Sequence, residues 1–107
     1  MNTFEKHKEG FEKKFALDQE QKFKAEVRRN RLLGLWAAER MGITGDAAMA
    51  YANEVVTADF EEAGDADVVR KVLGDLSAKG AAITEQAIRA KMNDFTAQVL
   101  TEVKAGK

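Results

Sequence analysis

The 107-residue chain contains no cysteine and no proline. Without cysteine there are no disulfides, no thiolate chemistry and no cysteine-ligated zinc, and a reducing interior is the default compartment. Turn-dense all-β architectures generally use some proline, whereas helix interiors exclude it, so its absence favours an all-helical chain. Chemistry-bearing residues are scarce as well: His7 is the sole histidine and Ser77 the sole serine. A catalytic base needs an orienting group and a pocket. Ser77 has no nucleophile elbow around it, and no glycine-rich phosphate loop is present. The expectation is a protein that is not an enzyme and has no catalytic residues, no metal and no cofactor. No apolar run approaches the roughly 20 residues needed to span a bilayer. The N-terminus, charged from Glu5 onward, has no signal-like apolar segment. A soluble cytoplasmic protein without membrane insertion is therefore expected.

Charge of one sign is also missing overall: 17 basic and 18 acidic residues leave a net charge of -1 and a pI near 5.9. That balance argues against a dedicated nucleic-acid binder. It conceals an asymmetry, because residues 1–31 carry nine basic and six acidic groups, whereas residues 32–107 carry eight and twelve. The two ends should prefer different partners.

Hydrophobic periodicity and caps outline four helices. The first spans residues 18–41, with Asp18 and Gln21 forming a capping-box pattern and Gly42 as the stop. Its apolar face is Leu32, Leu33, Trp36, Ala37 and Met41, with Phe23 and Val27 extending that surface upstream. The second spans residues 44–61, with a stripe of Met49, Ala52, Val56 and Phe60, Tyr51 and Val55 beside it, and Gly64 as its stop. Asp65 should cap a third helix that ends before Gly80 and buries Val69, Val72, Leu73 and Leu76. Thr84 should cap a fourth, with Ile88, Met92, Phe95, Val99 and Val103 on one face. Glu20 with Lys24 and Glu85 with Arg89 are spaced to form i,i+4 pairs. Short connections imply antiparallel neighbours. The expected fold is all-α: a four-helix bundle-like domain over residues 18–107, preceded by a mobile segment over residues 1–17.

That first segment holds Phe4, Phe11 and Phe15, spaced i, i+7 and i+11 along one helical face. Such a stripe serves either packing on the chain's own bundle or docking on a partner. The polar residues between the rings, and Gly10 among them, favour a tail that stays mobile until a large groove receives it. Two further clusters carry alternatives. Arg28, Arg29 and Arg31 form a dense basic group. It is either a helix face paired with Glu26 and acids on neighbouring helices, or an anion site of a small helical nucleotide-sensing module with weak nucleotide binding. The acidic run Asp59, Glu61, Glu62, Asp65 and Asp67 suggests a calcium loop with Gly64 at the sixth position, but Arg70 occupies the twelfth, where a bidentate acid is required. A solvated corner between two helices fits it better.

The run FKAEVRRNRLLGLWAAERMG at residues 23–42 closely resembles the first long helix of the zeta inhibitor subunit of bacterial F-type ATP synthases. EVVTADFEEAGDADVVRKVLGDL at 54–76 resembles that family's second-to-third helix segment, and IRAKM at 88–92 also matches. Phe4 and the string KKFALD at 13–18 are similar to the family's inhibitory tail. The likeness covers almost the whole chain and is weakest over residues 5–12 and after Asn93. It implies a four-helix regulator, peripheral to the inner membrane through the synthase. Its partners would be the catalytic and non-catalytic head subunits and the central rotor. The tail, with Phe4, Phe11, Lys13, Lys14 and Phe15 as candidate partner-binding residues, would enter a catalytic interface and block ATP hydrolysis.

Overall fold

The computed structural model describes residues 18–60 and 65–104. Its four helices are α1 (Gln19–Arg40), α2 (Gly45–Ala58), α3 (Ala66–Ala78) and α4 (Glu85–Lys104). Among the described residues there is no strand, so the expected all-α, four-helix architecture is the one observed.

Helix ends follow local chemistry. The extended Asp18 accepts from the Gln21 backbone N–H at 2.7 Å, and the Gln21 side chain accepts from Asp18 N–H at 3.3 Å. This reciprocal pair satisfies donors that a helix start leaves open. At the other end Gly42 adopts φ +75°, Ile43 N–H donates to Ala38 O at 2.8 Å and Gly42 N–H to Glu39 O at 3.1 Å. That is a Schellman motif. Gly80, with φ +79°, closes α3 in the same way, through Ala81 N–H to Leu76 O and Gly80 N–H to Ser77 O. Thr84 Oγ1 accepts from Ala87 N–H at 3.1 Å and starts α4.

α1 is the hub, packing against α2, α3 and α4. It comes close to α2 at Gly34, where a Cβ would lie 2.7 Å from the Ala52 Cα and 3.2 Å from Val55 Cγ2. Mid-helix glycine costs about 1 kcal/mol relative to alanine. Here the missing side chain lets α1 and α2 come within backbone contact. The main core gathers Leu33, Val55, Val68, Val72, Leu76 and Ile88, all fully buried. Burial of each such side chain contributes about 1.5–3 kcal/mol. A second, smaller cluster joins Ala25 of α1 to Val99 and Leu100 of α4, with Leu32 and Val103 against it.

Two expectations about apolar faces need correction. The α2 stripe was expected to include Met49 and Phe60, yet these are 47% and 58% exposed. α2 is wedged between α1 and α3, so its buried arc is centred between Ala52 and Val55 and takes in Tyr51 and Val56. Met49 falls on the margin of that arc, and Phe60 lies beyond the helix, which ends at Ala58 rather than near residue 61. Phe23 likewise does not extend the buried face of α1: it is 53% exposed, and Ala25 is buried instead. The expected stop at Gly64 lies outside the described residues.

Candidate functional site

The three arginines of the basic cluster share four residues of helix but not one direction, since successive positions turn by about 100°. Arg28 reaches α4 with a two-pronged grip on Glu102, Nε to Oε1 at 3.0 Å and Nη2 to Oε2 at 3.2 Å. The hydrogen bond to Glu102 raises the guanidinium pKa further above its ordinary value. Arg29 turns the other way and is only 4% exposed. Its Nη2 donates to Asp65 Oδ1 at 2.9 Å and its Nε to Asn30 Oδ1 at 3.1 Å, with Asn30 itself buried. Arg31 is partly buried and lies off both of these pairs. The fold therefore does not bring the three together; it sends two of them to carboxylates on different helices.

Around Arg29 the structure assembles a compact ionic knot. Burial raises the Glu26 carboxyl above its ordinary pKa, with Arg29 and Lys22 opposing and Asp59 and Asp65 adding to it. Burial also raises Asp59, where Arg29 and a hydrogen bond with Asn30 pull the other way and Asp65 and Asp67 push up. Asp65 stands at the start of α3, as expected, but does not cap it with its side chain. Its carboxylate faces Arg29, because a buried guanidinium without a counter-charge would cost more than a missing cap. Sequence reasoning foresaw acids near Arg29 but not its burial, and only the spacing of Arg29 on the Ala25–Leu33 face signalled it.

A second polar network was not anticipated. Tyr51 Oη donates to Asp75 Oδ2 at 2.9 Å, and Lys71 Nζ lies 3.1 Å from both Asp75 and Glu54 while sitting over the Tyr51 ring at 5.3 Å. Burial, then the Asp75 hydrogen bond, drives the Tyr51 phenol well above its ordinary pKa. This network ties α2 to α3. The expected i,i+4 pairs Glu20–Lys24 and Glu85–Arg89 are both present.

No group of three or more His, Cys, Asp or Glu able to hold a metal ion occurs among the described residues. Of the calcium-loop residues, Asp67 pairs with Arg70 at 2.8 Å and Asp65 with Arg29. No described helix is long and apolar enough to cross a membrane.

The end of the molecule where α1 begins carries an unusual surface. Phe23 and the residue just past α2, Phe60, stack with centroids 5.7 Å apart and planes 11° from parallel, while both stay more than half exposed. Phe4, Phe11, Lys13, Lys14 and Phe15, with His7, lie outside the described residues.

These features define a small helical scaffold whose internal charges hold its own helices together and whose aromatic surface lies at the start of α1. The family model for ATPase inhibitor subunit zeta matches residues 1–102. The chain belongs to that family, which supports an ATPase inhibitor role and implies binding to an ATP synthase. Three solved chains match. One, a solution NMR structure, is 53% identical, with the alignment covering 79% of this chain and 96% of that one at a TM-score of 0.69. No curated protein matches.

Proposed function

We propose that this chain is a non-catalytic regulator that binds the catalytic head of an F-type ATP synthase. It blocks ATP hydrolysis by inserting residues 1–17 at an interface between a catalytic and a non-catalytic subunit, beside the central rotor. The observation that carries this reading is the extent of the family match, which starts at residue 1 and runs through the phenylalanine-bearing segment into the bundle.

Phe4, Phe11 and Phe15 would enter an apolar groove that exists at one rotary stage, and Lys13 and Lys14 would meet acidic groups at its rim. Burial of three rings does not alone offset the conformational entropy of ordering roughly fifteen residues, so helical hydrogen bonds and flanking contacts contribute too. The capping box at Asp18 starts the first described helix. The four-helix body would stay outside the groove and limit how far the segment enters. Inhibition then works by wedging, because an inserted helix opposes the closure and opening of the catalytic site. Rotation in one direction tightens the grip and rotation in the other ejects it, so synthesis is little affected. The anion-binding alternative draws no support from the geometry, since Arg28 and Arg29 each face a carboxylate.

Hydrolysis by the purified synthase tests this. Deleting residues 1–17 should abolish inhibition while leaving the helical signal of the body intact; inhibition that survives the deletion defeats the reading. Phe15→Ala should weaken inhibition more than Lys8→Ala, and equal effects would argue against apolar anchoring.

A further inference from the structure

Among the described residues, neither of the stacked rings belongs to a buried apolar cluster. The nearby described cluster is Ala25, Val99 and Leu100 with Leu32 and Val103; Phe23 and Phe60 lie outside it, joined to one another from distant parts of the chain. Aromatic side chains, phenylalanine among them, are enriched at the cores of protein–protein interfaces. Near-parallel stacking turns the two rings into one apolar surface rather than two isolated side chains.

We infer that the Phe23–Phe60 pair is a second anchor, which docks on an apolar patch of the same head subunits that receive residues 1–17. This inference rests on the proposed function and names a further part of that contact. The position of the pair selects the occupant. Residues 1–17 join the body at Asp18, and Phe23 follows five residues later, about 7.5 Å along the axis at 1.5 Å per residue. A partner that grips Phe15 therefore meets the start of α1 as well.

The test uses the full chain and purified synthase, with binding read by titration of labelled protein and inhibition by ATP hydrolysis. The double variant Phe23→Ala/Phe60→Ala should bind at least tenfold more weakly, yet reach the same maximal inhibition at saturation, with helicity and melting temperature close to those of the parent. A binding change of less than twofold overturns the inference. The variant Phe4→Ala/Phe11→Ala/Phe15→Ala separates the two claims. If it loses inhibition while the Phe23/Phe60 variant binds normally, only the second anchor fails; if it still inhibits fully, the proposed function fails. Two results without synthase would also overturn the inference. One is a shift of the Phe23 and Phe60 ring signals on mutating Phe11 and Phe15, which would mean the chain's own segment covers the pair. The other is a dimer that dissociates in the Phe23/Phe60 variant, which would mean a second copy does.

Discussion

The two halves of α1 live in different surroundings. From Leu33 onward one face of the helix is enclosed, with Leu33, Ala37 and Ala38 inaccessible to solvent and Gly34 pressed against Ala52 of α2. Toward Asp18 the same helix is held by Ala25 on Val99 and Leu100, by the Arg28–Glu102 grip and by the ionic knot at Arg29. It leaves Phe23 in solvent. One half is fastened by dense apolar packing, the other by a thin apolar seam and charges. The contrast locates stability at one end and available surface at the other. It also explains how a bundle can offer aromatic rings to a partner without losing its core: the rings stand where the core is thinnest.

The largest expected effect tests whether the packed half dominates stability. Leu33→Ala removes a fully enclosed side chain and should cost about 3–5 kcal/mol, whereas Val99→Ala in the smaller cluster should cost about 1–2 kcal/mol. Urea denaturation of the two variants measures both, and equal losses would erase the distinction. Next comes the division of labour between adjacent arginines. Arg29→Ala leaves Asp65 without its buried counter-charge and should cost about 2–3 kcal/mol, less than a wholly buried pair because Asp65 keeps some solvent. Arg28→Ala removes a solvent-exposed pair and should cost less than about 1 kcal/mol. The reverse order would mean that the α1–α4 grip, not the knot, fastens this end.

The smallest effect concerns pH. Glu26 and Asp59 bind protons more readily in the folded protein than in the unfolded one, because burial disfavours their charged forms. Their contribution to stability therefore improves as pH falls from neutral through their raised values, and it worsens as pH rises. Glu26→Gln should be slightly more stable than the parent at pH 7, and this advantage should shrink toward pH 5. Denaturation at the two pH values checks the sign; a variant that is weaker at pH 7 would show that attraction to Arg29 outweighs burial.

Helix ends were legible in advance because their chemistry is local. Asp18 with Gln21, Gly42, Gly80 and Thr84 each act within six residues, and each does what its type and spacing announce. The i,i+4 pairs are legible for the same reason. Asp65 shows where such reading stops: a sound cap by position, it turns instead to Arg29, 36 residues away. Phe60 and Met49 fit a helical stripe by spacing and are exposed, because the buried arc of α2 depends on where α1 and α3 stand. The candidate site divides in the same way. The arginines were visible as a basic group, but Arg28 and Arg29 face Glu102 and Asp65, and neither partner can be paired from spacing along the chain. The Phe23–Phe60 stack joins residues 37 positions apart and has no sequence signature.

Residue order thus settled that this chain is helical, where its helices start and stop, and to which family it belongs, because caps, periodicity and near-identical runs are properties of neighbours along a chain. Which of its charges are buried, which glycine sits at the helix crossing, and which phenylalanines reach solvent were settled in three dimensions. Burial and counter-charge depend on groups tens of residues away, and only packing brings those within reach.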